Sequence, residues 1–294
     1  MTRSVSLISA VRFKRVNVKI QKILLVGYYL LSLLKEILKR NSATGAAATE
    51  RSFANLSQRQ NSVLVIVIGS DRGLAGAFDL NIFQKANKLI KEFKNQDLEF
   101  KSDRVLIGTI GRKAENYFKK CGSLLFSFSR FEDLFPENFA QELVSYLRFL
   151  IENEKLTQIM IVKPNLTSAG YVVETVTVYP FSAEFLEETI NNLMPKTKEW
   201  LRFGQGSEPI LEQAWVEYKL EPSPAKLMEV ILKQSFFLVI YITILQAQAS
   251  LELARTITMR KAFDNSTELI KENMLEYNKL RQNKITQELL DIIR

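Results

Sequence analysis

Apolar residues in the first forty positions recur at intervals of three and four: Val16, Ile20, Ile23, Val26, Leu30, Leu33, Leu34, Ile37 and Leu38. That spacing lines one face of a helix, and Val11 to Arg40 contains no proline and one glycine. The pattern predicts a helix over this stretch that continues, at reduced order, through the Ala-rich segment from Ser42 to Thr49. After Asn61 the texture changes. Ser62-Val63-Leu64-Val65-Ile66-Val67-Ile68 is a continuous run dominated by β-branched residues, the mark of a strand buried on both faces of a parallel sheet.

Alternation of strand and helix follows. The pattern predicts a helix from about Asn81 to Phe93, a strand at Arg104–Gly108, a helix from Arg112 to Lys120 and a short strand from Leu124 to Phe128. A longer helix from Pro136 to Asn153 comes next, then strands at Gln158–Val162 and Tyr171–Val178. Such alternation argues for an α/β domain of Rossmann-like type, with helices on both faces of a sheet. Phe203 to Pro209 reads as an exposed loop, and Trp215 to Tyr218 as a strand returning to the sheet.

Beyond Pro224 the chain has neither proline nor glycine. A helix of this length at about 1.5 Å per residue reaches about 100 Å. Leu227, Val230, Ile231, Phe237, Ile240, Ile244, Leu251, Ala254, Ile257, Leu269, Leu280, Ile285, Leu289 and Ile292 form its apolar series, with polar breaks at Gln248, Asn265 and Asn273. The spacing is close to heptad, so a partner helix is required. The N-terminal helix is the long candidate. The expected architecture is an antiparallel coiled coil of the two ends, 1–60 and 223–294, with an α/β domain, 61–222, inserted between them. The longer C-terminal helix should protrude or be sheathed by another protein.

Composition narrows the chemistry. The chain has 294 residues and a formal charge of +8, and ten basic residues against Glu36 and Glu50 between Met1 and Arg51 make the N-terminal arm cationic. Nucleic acid, anionic lipid and acidic protein all suit such an arm. The one cysteine, Cys121, leaves no internal disulfide, and the absence of histidine removes the commonest general base and transition-metal ligand. The apolar run Ile23–Leu34 would span about 18 Å as a helix, short of a bilayer core of about 30 Å.

Two strand-to-helix turns are candidates for anion binding. Ser70, Asp71, Arg72, Gly73, Leu74, Ala75 and Gly76 form the first, but it lacks the Gly-Lys-Ser/Thr ending of a phosphate loop and does not complete Gly-x-Gly-x-x-Gly. It reads as a tight loop in which Arg72 or Asp71 pins a neighbour. The second, Gly108 to Lys113, reads as a solvated helix start. Asp264 and Glu268 share a helix face as a salt-bridged surface, and Lys279, Arg281 and Lys284 suit the negative pole of the helix. No catalytic residue, metal ligand or cofactor site is expected.

Specific blocks of residues resemble a known family. Glu221-Pro222-Ser223-Pro224, Ala249-Ser250, Ala254-Arg255, Met259, Ala262, Asp264-Asn265, Leu269-Ile270, Tyr277-Asn278-Lys279, Arg281-Gln282 and Ile285-Thr286-Gln287-Glu288-Leu289 are similar to the tail of the gamma subunit of F-type ATP synthases. Ser70 to Phe78, Ile110 to Lys113 and Ile20-Gln21-Lys22-Ile23 resemble further blocks of that family. The resemblance implies a rotor shaft turning inside a ring of alternating alpha and beta subunits, one copy per head, with its base on an epsilon-type subunit and a membrane ring. It implies that Arg281, Gln282 and Thr286 contact the beta subunits, whose acidic loop the cationic shaft complements. It also implies a non-catalytic subunit without cofactor, peripheral to a membrane, at the cytoplasmic face in a bacterium. The chain departs from the family at Leu24 to Leu31, and at Gln246 and Leu251, which replace acids. Such drift suits a gamma-like shaft in a paralogous rotary ATPase, as in some wall-less bacteria, with another mechanical output. A basic coiled-coil nucleic-acid binder is the reading from a different class.

Overall fold

The computed structural model describes residues 2–40, 62–95, 105–121, 124–132, 135–153, 156–167, 170–179 and 224–293. The expected helix continuation at 42–49, the loop at 203–209 and the strand at 215–218 lie outside these residues. The described elements are α1 (Thr2–Arg40), β1 (Ser62–Ile68), α2 (Phe78–Asn95), β2 (Val105–Ile110), α3 (Arg112–Phe118) with a 3-10 turn to Cys121, β3 (Leu124–Phe128), α4 (Pro136–Asn153), β4 (Leu156–Thr167), β5 (Gly170–Tyr179) and α5 (Pro224–Ile293). The main departures from expectation are at element ends. Helix α1 begins nine residues before Val11, because nothing from Thr2 onward interrupts it, and β4 runs to Thr167.

The sheet has five strands in the order β3-β2-β1-β4-β5. The first four are parallel, and β5 returns antiparallel along the edge. Leu64 to Val67 of β1 are fully buried, as the unbroken apolar run requires of a central strand. Pro164 in β4 pairs with Val173 of β5 at a level that β1, whose pairing stops at Val162, does not reach. A proline without an N–H is tolerated there because that side of β4 has no ladder to break. Helices α2 and α3 pack together on one face, joined by the stacked rings of Phe83 and Tyr117. Helices α4 and α5 pack together on the other.

Helix α5 buries two faces. Leu238, Ile242, Leu245 and Ala249 meet Ile20 and Leu24 of α1, flanked by Phe13, Val16, Ile23 and Leu30. Ile231, Phe236, Val239, Ile240, Ile244, Ala247, Leu251 and Ala254 join the core of the sheet instead. Arg12 stands opposite Glu252, while Ile20 and Leu24 pack on residues earlier in α5, so the two helices run antiparallel as expected. A stretch of α5 is apolar and long enough to cross a membrane by length and composition, and most of it is buried within the fold.

Two groups of expected seam residues point elsewhere. Val26 and Leu33 of α1 are 51% and 43% exposed, and Val230 of α5 is 61% exposed. At about 100° per residue, Val26 stands about 120° round the helix from Ile20 and therefore faces away from α5. Ile257, still within the covered stretch, is 38% exposed, whereas Leu269, Leu280, Ile285 and Leu289 are exposed for a different reason. The antiparallel register brings the start of α1 level with Ala262, and from Phe263 to Leu290 almost every side chain of α5 is exposed. About 45 Å of helix projects without cover from the rest of the described chain.

Replacing Ile240, fully buried between α5 and the sheet, by Ala should cost about 2–5 kcal/mol in chemical denaturation. Val230→Ala should cost less than about 0.5 kcal/mol, as a surface change does.

Candidate functional site

The loops that leave β1, β2 and β3 converge at the carboxyl ends of these parallel strands. Gly69 N–H donates to Ile110 O at 2.8 Å, Gly111 N–H to Phe128 O at 2.7 Å, and Lys113 N–H to Ser70 O at 3.0 Å. Asp79, in the first turn of α2, accepts from Ser70 N–H (2.8 Å), Ser70 Oγ–H (2.7 Å) and Lys113 Nζ (2.9 Å). Asp71 does the pinning. Its Oδ1 accepts from the backbone N–H groups of Arg112 (3.0 Å) and Arg130 (2.9 Å), and its Oδ2 from that of Glu132 (3.1 Å). The start of α3 is therefore held from within by a carboxylate and is not the solvated helix start expected. An anionic side chain beside an orphan helical N–H is favourable both as a cap and against the helix dipole.

Open α/β sheets receive ligands at the carboxyl ends of their strands. Here that place is taken by a side chain of α5. Glu132, after β3, accepts from Asp71 N–H at 2.7 Å and Arg72 N–H at 3.2 Å. Its carboxylate also pairs with Arg255 Nη2, at 3.0 Å to Oε1 and 2.8 Å to Oε2. Arg255 reaches the carbonyls of Gly73 (3.4 Å) and Arg72 (3.5 Å) and bonds Glu252 Oε1 at 3.2 Å. Only 5% of Arg255 is exposed. In so dry a place the pair is strong provided the remaining donors are used, and here all three guanidinium nitrogens have partners.

The same loop approaches α5 through Gly76. Its φ is +62°, and a Cβ added there would stand 3.0 Å from Thr258 Oγ1. Leu74 and Arg130 also have positive φ, at 71° and 64°. Left-handed backbone in residues with side chains is costly and persists where surroundings hold it, and Asp71 takes the N–H of Arg130. Gly111, with φ +100°, has no room for a side chain either, since its Cβ would meet Gly69 O at 2.6 Å.

A second polar contact joins sheet and shaft deeper in the interface. Lys163 of β4, 4% exposed, donates to Gln246 of α5 and pairs with Glu174 of β5 at 3.2 Å. Burial pushes the ammonium below its ordinary pKa, with Glu174 opposing. Gln246 is a neutral amide, so the charge facing Lys163 comes from the sheet.

Arg281 and Gln282 lie on the projecting half of α5, exposed. Thr286, also exposed, donates its hydroxyl to Gln282 O at 2.9 Å. They share this stretch with one another but not with the loop cluster, from which 26 residues of helix, about 39 Å, separate Arg281 and Arg255. Asp264 and Glu268 are exposed there too, and neither forms an ion pair among the described residues. As two like charges one turn apart, each is better solvated by water. Lys284 pairs loosely with Glu288 at 3.9 Å. Gln248, expected as a polar break, is half-buried and donates to Phe131 O at 3.2 Å. Glu132 and Lys163 were not singled out by pattern. The available signal was an acid just beyond a parallel strand and a lysine inside an apolar run.

Gly76→Ala should lower stability by about 1–2 kcal/mol, the cost of a side chain in left-handed backbone, as read by thermal melting. Lys163 yields a pH signature. Its pKa is lower in the folded protein, so between that value and 10.5 the unfolded chain binds more protons and stability rises with pH. Burial raises the pKa of Tyr171, Tyr179 and Tyr241, which opposes this rise above about 10. The difference in unfolding free energy between wild type and Lys163→Met should therefore change with pH in that window; a pH-independent difference would contradict the assignment.

Comparison with known proteins agrees with this geometry. The model of the family described as ATP synthase matches residues 1–294. The ATP synthase gamma chain of Legionella pneumophila (strain Corby) is 26% identical over 295 residues, covering all of this chain and 91% of the relative. That of Caldanaerobacter subterraneus subsp. tengcongensis is 27% identical over 296 residues, covering all of this chain and 92% of its own. Among solved structures, the central stalk and c-ring of the Tetrahymena thermophila mitochondrial ATP synthase matches with a TM-score of 0.50 at 14% identity, covering 89% of this chain and 98% of that one. With a family model spanning its whole length and gamma chains aligned over all of it, this chain belongs to the ATP synthase gamma-chain family.

Proposed function

We propose that the chain is the central rotor shaft of an F-type ATP synthase or ATPase, carrying rotation between a catalytic head of alpha and beta subunits and a base seated on a membrane ring. The observation that carries this reading is the projecting half of α5. Leu269, Ile270, Met274, Leu275, Tyr277, Leu280, Ile285, Leu289 and Leu290 are all exposed on it, more apolar surface than an isolated helix leaves to water. A sleeve formed by other subunits would cover it. Arg281, Gln282 and Thr286 are the contacts by which beta subunits grip the shaft, because they set polar groups among those apolar ones near the tip. The chain itself is non-catalytic, one copy per head. The α/β domain of residues 61–222 faces an epsilon-type subunit and the ring, at the cytoplasmic face of a bacterial membrane.

A second reading keeps the shaft and changes the output: a gamma-like subunit of a paralogous rotary ATPase that drives another assembly. Gln246 and Leu251 favour it, since both are buried where the family carries acids. The nucleic-acid reading has weaker support, because the apolar face of the cationic arm is occupied by α5.

Native purification should bring down alpha- and beta-like subunits, and a membrane ring with them if the output is ion transport. Recovery of a lone monomer would count against the shaft. Removing residues 275–294 should weaken coupling of hydrolysis to rotation before it abolishes assembly, since the buried part of α5 is untouched.

A further inference from the structure

Torque applied at the tip of a projecting helix bends it most at its root, and the root of this shaft can be located. Among the described residues, Met259 is the last buried one of α5. Arg255 lies one turn before it, and the loop cluster at the end of the sheet closes on that turn. We propose that Arg255 is the root anchor of the shaft, a positioning residue whose ion pair with Glu132 passes load from α5 into the α/β domain. This inference rests on the shaft reading above.

Most of the interface between α5 and the sheet is apolar. Burial of apolar surface is non-directional, so it resists separation far better than sliding or twisting. A guanidinium held by hydrogen bonds in fixed directions resists both. Arg255 is tied to the carboxylate of Glu132 and to the carbonyls of Arg72 and Gly73. Glu132 in turn holds the N–H groups of Asp71 and Arg72, while Asp71 holds those of Arg112, Arg130 and Glu132. One side chain of the shaft is thereby connected to the loops after all three of β1, β2 and β3. Glu252, bonded to Arg255, also faces Arg12 at 3.7 Å, which brings α1 into the same level. Lys163 and Gln246 lie nine residues farther from the tip, about 14 Å along the helix, where a bending load has already been shared with the apolar core.

The decisive experiment uses the assembled complex, with the head immobilised and a bead on the α/β domain. Arg255→Met complexes should hydrolyse ATP at the wild-type unloaded rate and stall at a lower opposing load, with Arg255→Lys intermediate. Ile240→Ala, a destabilised core control, should stall as wild type does. Wild-type stall load in Arg255→Met, or an equal loss in Ile240→Ala, overturns the proposal. Hydrogen exchange on the full chain alone supplies a second reading. In Arg255→Met the amides of Asp71 and Arg72 should exchange about tenfold faster or more, the worth of one charged hydrogen bond. No change there, or an equal acceleration throughout β1 and β4, would also overturn it. If wild-type chain forms no complex with a head, the shaft reading fails, and the exchange result still decides whether Arg255 holds the loop.

Discussion

Everything in this protein depends on one helix having to satisfy two partners and then do without either. For about half its length α5 lies between α1 and the sheet, and its buried apolar residues divide into two sets, with Tyr241 packed against both. Residues 238, 242, 245 and 249 serve α1. The interleaved set serves the α/β core. Because both partners stop near residue 262, the helix beyond must survive on its own helical propensity and on whatever other molecules supply.

That arrangement explains why the α/β domain has so little to do at its usual ligand site. The carboxyl ends of β1, β2 and β3 carry a glycine-containing turn, a helix start and acidic side chains, the parts from which a phosphate or nucleotide site is often built. In this chain Asp71 occupies the helix start and Arg255 the remaining acceptors. The loop's positive-φ residues and the close approach of Gly76 to Thr258 then serve contact between domain and shaft. A fold that elsewhere binds small molecules here binds its own terminal helix, which illustrates why fold alone does not assign function.

Polar groups along α5 divide by depth. Deep in the interface, burial works against a charge on Lys163 and Glu174 opposes that effect, while the shaft contributes the neutral Gln246. At the rim of the buried stretch Arg255 and Glu132 form a pair in which both side chains are over nine-tenths buried. Farther out, Arg281, Gln282 and Thr286 are exposed to solvent or to a sleeve. The gradient follows the cost of desolvating charge, which is tolerable where each ion has several partners and absent where water remains.

Much of this was legible in the amino-acid sequence, for a physical reason: periodicity and breakers are local properties. The run from Val63 to Ile68 could only be a strand buried on both faces, Pro136 to Asn153 was a helix to the residue, and a proline- and glycine-free tail of this length had to be one long helix. The antiparallel pairing of the ends followed from an apolar stripe that needed cover. Other matters were decided only in three dimensions. A stripe drawn by spacing cannot say which residues lie at its margin, so Val26 and Leu33 belong to the stripe by spacing and yet turn outward. No local rule links Asp71 to Arg112 and Arg130, or Glu132 to Arg255, since those partners are 41 to 123 residues apart and meet only because three parallel strands end at the same level. The sequence by itself determined that there would be a shaft; tertiary structure decided where the shaft is held, because that depends on which distant carboxylate the fold brings to a given arginine.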